Sequence, residues 1–225
     1  MKVWSFEFRN CFACLPVGRD FDIRISNFSG YGMRIISGTS KGKRLATPKG
    51  QALRPTSDRV KESIFNILGE VVKGKVILDL FAGTGNLGIE ALSRGARRVV
   101  FIERAREATR LIKSNLSQCG MVGVSEIIPK DVIRAIGILH QRGETFDLIL
   151  MDPPYEKGLI EKTLWKLQSH RIYHDESILV IEHDRREPLP KNPDGWNLIR
   201  QRKIGDTLIS FLTPLGRAEK GLGGD

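Results

Sequence analysis

The chain has 225 residues, of which 40% are hydrophobic and 28% charged, and its formal net charge is +10. That length supports one substantial core with a small appendage, and no apolar run reaches the roughly 18–20 residues that a membrane span requires. Three cysteines (Cys11, Cys14, Cys119) make no disulfide framework, so a reducing cytoplasm is the default compartment; Cys11-Phe12-Ala13-Cys14 is half a zinc site without a second half, and no metal is expected.

Residues 1–32 hold Phe6, Phe8, Phe12, Phe21 and Phe28 without a sustained helical or strand period. Their short apolar run, Cys11 to Val17, contains Pro16 and is no secretory signal. Clear patterning opens at Met33, so Met33 is expected to be the natural start and residues 1–32 a non-native or disordered extension. Arg34 to Ser37 and Lys43 to Ala46 read as two short strands around a glycine-bearing turn, a basic hairpin appendage within residues 33–52. Pro48, Gly50 and Pro55 interrupt the chain. Thr56 or Ser57 then caps a helix from Asp58 to about Leu68, with Val60, Ile64, Ile67 and Leu68 on its apolar face.

From Lys75 onward, strand and helix alternate within a domain spanning 53–214. Strands are expected at Val76–Leu80, Arg98–Glu103, Val124–Pro129, Phe146–Met151 and Ser177–Glu182. Helices are expected at Asn86–Arg94, Glu107–Cys119, Val132–Gln141 and Leu159–Ser169. Such alternation argues for an α/β fold with a parallel sheet covered by helices on both faces. Trp196–Lys203 and Thr207–Thr213 flank Ile204-Gly205-Asp206 and read as an antiparallel hairpin at the sheet's edge, which brings the sheet to seven strands. A glycine-rich flexible tail, 215–225, closes the chain.

Three features carry chemistry. Between Met33 and Lys61 stand Arg34, Lys41, Lys43, Arg44, Lys49, Arg54, Arg59 and Lys61 against the single acid Asp58. A concentrated basic surface attracts a polyanion by counterion release, which favours nucleic acid over a merely solubilising face. Asp79-Leu80-Phe81-Ala82-Gly83-Thr84-Gly85-Asn86-Leu87-Gly88 joins the first strand to its helix, with glycines spaced for close backbone approach to a ligand. Glu103 and Asp131, at the ends of the next two strands, suit ribose hydroxyls and an adenine amine, although either acid also serves as a helix cap or first-turn charge. Asp79 would repel a pyrophosphate but attract a methionine amine or sulfonium, which favours S-adenosylmethionine over NAD. Finally, Asp152-Pro153-Pro154-Tyr155 ends a buried strand in a sharp turn. It sets a carboxylate, a carbonyl and an aromatic face where open α/β sheets bind ligands, a cluster suited to a planar base with an exocyclic amine.

The glycine loop D-L-F-A-G-T-G together with D-P-P-Y resembles the Rossmann-like class I S-adenosylmethionine-dependent methyltransferases that act on exocyclic amines. Arg34-Ile35-Ile36-Ser37-Gly38, Lys43-Arg44-Leu45 and the run Leu53 to Glu62 are similar to the RsmD family, bacterial methyltransferases of a guanine N2 in 16S rRNA, the guanine-966 type. The resemblance runs from Met33 to about Pro214. It implies that Asp79, Phe81, Gly83, Thr84 and Gly85 surround the cofactor's methionine part. Glu103 would hold the ribose, Asp131 and Val132 the adenine, and Arg54 to Thr56 would close over the cofactor. Asp152, Pro153, Pro154 and Tyr155 would hold the target guanine. Arg34, Lys41, Lys43, Arg44 and Arg59 would meet RNA. Asn86 departs from the small residue common at its position, and is tolerable because Asn also opens helices. The implied partner is 16S rRNA or a small-subunit assembly particle, met by a monomer. An N6-adenine DNA methyltransferase, a non-catalytic RNA-binding module with this fold and, more distantly, an NAD-dependent oxidoreductase stay open as alternatives.

Overall fold

The computed structural model describes residues 33–48, 58–154, 158–190, 193 and 195–216. Residues 1–32, the segment carrying Arg54 and Thr56, Tyr155, and most of the 215–225 tail lie outside the described residues.

Helix α1 (Asp58–Leu68) precedes strand β1 (Val76–Leu80), α2 (Asn86–Ser93), β2 (Arg98–Ile102) and α3 (Arg106–Cys119). Then follow β3 (Ser125–Ile128), α4 (Val132–Gln141), β4 (Phe146–Met151), α5 (Leu159–Ser169), β5 (Tyr173–Asp184), β6 (Trp196–Ile204) and β7 (Thr207–Pro214). All seven strands form one sheet in the order β3-β2-β1-β4-β5-β7-β6. The first five run parallel, and β7 pairs antiparallel with both β5 and β6. The chain winds outward from β1 to β3, then returns to the other side of β1 with β4. That reversal makes the β1/β4 junction the switch point, where a crevice opens beyond the strand ends.

Strand parity divides the core into two layers. Ile77, Val99, Phe101, Leu148, Leu150 and Val180 pack with residues of α1, α2 and α3. Leu78, Leu80, Val100, Ile102, Ile149 and Ile181 pack with residues of α4 and α5. Helices therefore cover both faces, as the alternating pattern implies. Strand β5 is longer than expected, because polar residues His174 to Glu176 continue it back to Tyr173, which pairs with Phe146 across an irregularity in the register.

The 33–48 segment is a minimal hairpin. Its turn is held by Ile35 N to Lys43 O at 2.9 Å and Gly42 N to Ile35 O at 2.8 Å, with one bridge between Arg34 and Arg44. It packs into the first core layer through Met33, Ile35 and Leu45. The seam with α2 is polar and fully used. Glu90 accepts from Ile36 N at 2.8 Å and Ser37 N at 3.1 Å. Ser93 Oγ donates to Ser37 O at 2.6 Å and accepts from Ser40 N at 3.0 Å. On the neighbouring helix α3, Asn115 Oδ1 accepts from Ala46 N at 2.7 Å.

Gly38 is the closest approach in this seam. Its φ is +85°, and a Cβ there would lie 1.8 Å from the Ser93 carbonyl oxygen. Gly38→Ala is therefore expected to destabilise the fold by about 2–5 kcal/mol, from backbone strain plus overpacking. Urea unfolding measures it; an unchanged midpoint would show that the hairpin does not rest on α2.

Candidate active site

Strands that stop in register form a common ledge. Leu80 pairs with Ile102 on one side and Met151 on the other, so Phe81, Glu103 and Asp152 follow side by side. Beyond this ledge lies a cavity of about 660 Å³, within the roughly 300–1,000 Å³ usual for small-molecule sites. Its wall brings together ten of the residues singled out in the sequence: Asp79, Phe81, Gly83, Thr84, Glu103, Asp131, Val132, Asp152, Pro153 and Pro154. Gly85 stands behind that wall, as the N-cap of α2.

The odd parity of Asp79 in β1 points it toward α2, where it is 2% exposed. Its Oδ2 accepts from Gly88 N at 2.9 Å. Burial is the main force on this carboxyl and pushes its pKa up to about 8; the charges of Asp152 and Glu103 add to the rise, and the Gly88 N–H opposes it. Such an acid is largely neutral at pH 7 until a cation arrives. Gly88 is required for this contact, because a Cβ would meet the Phe101 ring at 2.3 Å and Asp79 Oδ2 at 2.9 Å. Phe81 has φ of 60°, the one non-glycine residue with positive φ among those described. This left-handed torsion, a strain of about 1–3 kcal/mol, tips the chain out of β1 into the loop.

Glu103 uses both carboxylate oxygens to shape the loop ends. Oε2 accepts from Gly83 N at 2.9 Å and Oε1 from Ala105 N at 2.7 Å. Each oxygen has a second lone pair, which leaves the group competent to accept ribose hydroxyls. Asp131 is the N-cap of α4, its Oδ1 accepting from Ile133 N at 3.0 Å. The capping role raised as an alternative for Asp131 is thus real, and the residue also borders the cavity. On the far side Asp152 is half-buried, Pro153 buried and Pro154 exposed.

The expected RNA-facing cations stand away from this wall. Lys41, Lys43, Arg44 and Arg59 are exposed on the hairpin and α1. Arg34 is exposed but pairs with Asp58 at 3.2 Å. Lys61, counted with them in the basic run, is not a surface cation. It is 0% exposed, donates to Arg34 O at 2.5 Å and Asn86 Oδ1 at 2.7 Å, and lies 3.8 Å from Glu90. Sequence reasoning gave no site role to Met33, Asn86, Arg104, Lys130 and Leu159, all on the cavity wall. Arg104 and Lys130 adjoin strand-end acids and were findable from the same strand-end rule. Met33 carries no local signal.

The family described as Conserved hypothetical protein 95 matches residues 33–213. Ribosomal RNA small subunit methyltransferase D of Escherichia coli (strain K12) is 36% identical over 180 residues, covering 80% of this chain and 89% of that protein. YlbH of Bacillus subtilis (strain 168) is 36% identical over 184 residues, covering 82% of this chain and 100% of that protein. Among solved structures, yhhF from Escherichia coli superposes with a TM-score of 0.72 at 31% identity, covering 83% of this chain and 99% of that one. The sheet order and its antiparallel close are those of the class I S-adenosylmethionine-dependent methyltransferases. With a family match over most of its length and relatives aligned nearly end to end, this chain belongs to the RsmD family.

Proposed function

We propose that the chain is an S-adenosylmethionine-dependent methyltransferase that modifies the exocyclic N2 amine of a guanine in 16S rRNA, acting as a cytoplasmic monomer on the RNA or on a small-subunit assembly particle. One observation carries the reading: the Asp79 glycine loop and the Asp152-Pro153 turn border one cavity. The names of its relatives as ribosomal RNA small subunit methyltransferases support the substrate class.

The wall suits that cofactor chemically. A buried, proton-hungry Asp79 meets an ammonium, Glu103 accepts from ribose hydroxyls, and Asp131 with Val132 borders the adenine. When bound, S-adenosylmethionine supplies an electrophilic methyl group. The chain's own work is positioning. The guanine N2 lone pair is delocalised into the ring and is a poor nucleophile. The Asp152 carboxylate and the Pro153 carbonyl accept its two N–H groups, favour a more tetrahedral nitrogen and free the lone pair for transfer. Asp152 then takes the released proton. Tyr155, outside the described residues, is assigned to stacking on the base, a contact worth about 1–3 kcal/mol. A paired guanine is out of reach, so the target base is unpaired or flipped.

The test is to map methylated guanines in 16S rRNA from a strain lacking this gene. One N2-methylguanine should vanish and return when the gene is restored; an unaltered map overturns the reading. Neutralising Lys41, Lys43 and Arg44 together is expected to weaken RNA binding and lower the slope of log affinity against log salt by about two to three. Filter binding across a salt series measures this, and an unchanged slope would assign the three cations to solubility.

A further inference from the structure

Asn86 opens α2 on the cavity wall and is 6% exposed. Its Oδ1 accepts from Lys61 Nζ at 2.7 Å. A lysine ammonium donates and never accepts, so the amide orientation is fixed: oxygen toward Lys61, nitrogen away from it. That Nδ2 is buried and has no hydrogen-bond partner among the described residues. A buried amide donor left unpaired costs about 1–3 kcal/mol, so its presence beside a cavity calls for a ligand acceptor.

The chemistry of the wall says which acceptor. Asp79, held by Gly88 of the same helix, presents an acid to the cavity. Asn86, at the first helical position of α2, brings an unpaired amide donor to the same wall, beside the positive end of the α2 dipole and with Lys61 on its oxygen side. Lys61 is itself held by Arg34 O at 2.5 Å, with Glu90 at 3.8 Å and Asp58 at 3.9 Å, so the donor to the Asn86 oxygen has a fixed place. An acid from β1 and a donor from the start of α2 complement the two charges of an α-amino acid.

Resting on the cofactor reading above, we infer that Asn86 is a binding residue whose Nδ2 donates to the carboxylate of the cofactor's amino-acid end, with Lys61 as the positioning residue that aims it. The arrangement also ties cofactor capture to the basic hairpin, because the same lysine holds the Arg34 carbonyl.

The test compares S-adenosylhomocysteine, which carries the carboxylate, with 5′-methylthioadenosine, which shares the nucleoside but lacks the amino-acid end. Asn86→Asp keeps the acceptor for Lys61 and replaces the donor with a negative charge. Isothermal titration should show S-adenosylhomocysteine weakened by about tenfold or more, with methylthioadenosine changed by less than about twofold. Asn86→Ala, which removes the donor without adding charge and serves if the Asp variant melts early, should show the same selectivity with a smaller loss. Equal losses for the two probes, an unchanged affinity for S-adenosylhomocysteine, or tighter binding by the Asp variant would each overturn the assignment of Asn86. Wild-type protein that binds neither probe would instead overturn the cofactor reading, and this inference with it.

Discussion

Asp152→Ala is expected to lower methyl transfer by on the order of 10³-fold or more while leaving the dissociation constant for S-adenosylhomocysteine within about threefold of wild type. The split follows from where the residue stands. Asp152 comes directly after Met151, which pairs with Leu80 and Ile181 in the middle of the sheet. The backbone there is set by the strands, so truncating one half-buried side chain leaves the ledge intact. Asp79, Gly83 and Glu103, assigned to the cofactor, keep their places, and Asp79 loses only a neighbouring charge that helps raise its pKa. What disappears, under the proposed mechanism, is the acceptor for an amine hydrogen and the site that takes the proton. Single-turnover transfer to 16S rRNA, run beside titration calorimetry, reads the two effects separately. Transfer at the wild-type rate would remove the carboxylate from the mechanism. Loss of cofactor binding in proportion to transfer would move Asp152 to the cofactor's side of the cavity.

Much of this architecture was legible because its signals are local. Strands β1 and β4 and helices α1, α4 and α5 begin and end where their apolar periods, caps and flanking glycines place them. The glycine loop and the D-P-P-Y turn mark strand ends, and strand ends converge in a parallel sheet, so ten expected residues share one wall. What stayed hidden depends on partners distant in sequence. Lys61 looked like one more surface cation; it is buried because Glu90, the Arg34 carbonyl and Asn86 satisfy it from other elements. Glu90 carries no signal in the sequence, yet it anchors the hairpin backbone. Phe65 fell outside the expected apolar face of α1 and is fully buried in the first core layer, with the Arg94 guanidinium 4.9 Å from its ring centroid. The start of β5 was missed because its edge-like polar residues, His174 to Glu176, imitate a turn.

Asp79→Asn should have the other large effect, and its sign changes with the ligand. In the ligand-free protein the Asp79 carboxyl has its pKa raised from 3.8 to about 8, mainly by burial. An acid that holds its proton more tightly when folded adds nothing to the pH dependence below the unfolded pKa. Between about pH 4 and pH 8 it makes the fold less stable as pH rises, and above that the full penalty remains. Asparagine keeps an oxygen to accept from Gly88 N and has no proton to lose. The variant is therefore expected to melt higher than wild type at pH 8 and to match it near pH 4, with the difference growing across that window to a few kcal/mol. Ligand binding should move the other way. An ammonium beside Asp79 drives the carboxyl to ionise, so wild-type protein at pH 7 releases a proton as S-adenosylhomocysteine binds. Calorimetry in two buffers of different ionisation enthalpy should detect that proton for wild type and not for the variant, whose affinity should fall by on the order of 10²-fold. A variant that binds as tightly as wild type, with no difference in proton release, would place the ligand's cation elsewhere. A variant whose melting curve tracks wild type from pH 4 to pH 8 would show that Asp79 is ionised in the empty site, and the cation would then be drawn by a standing charge rather than creating one.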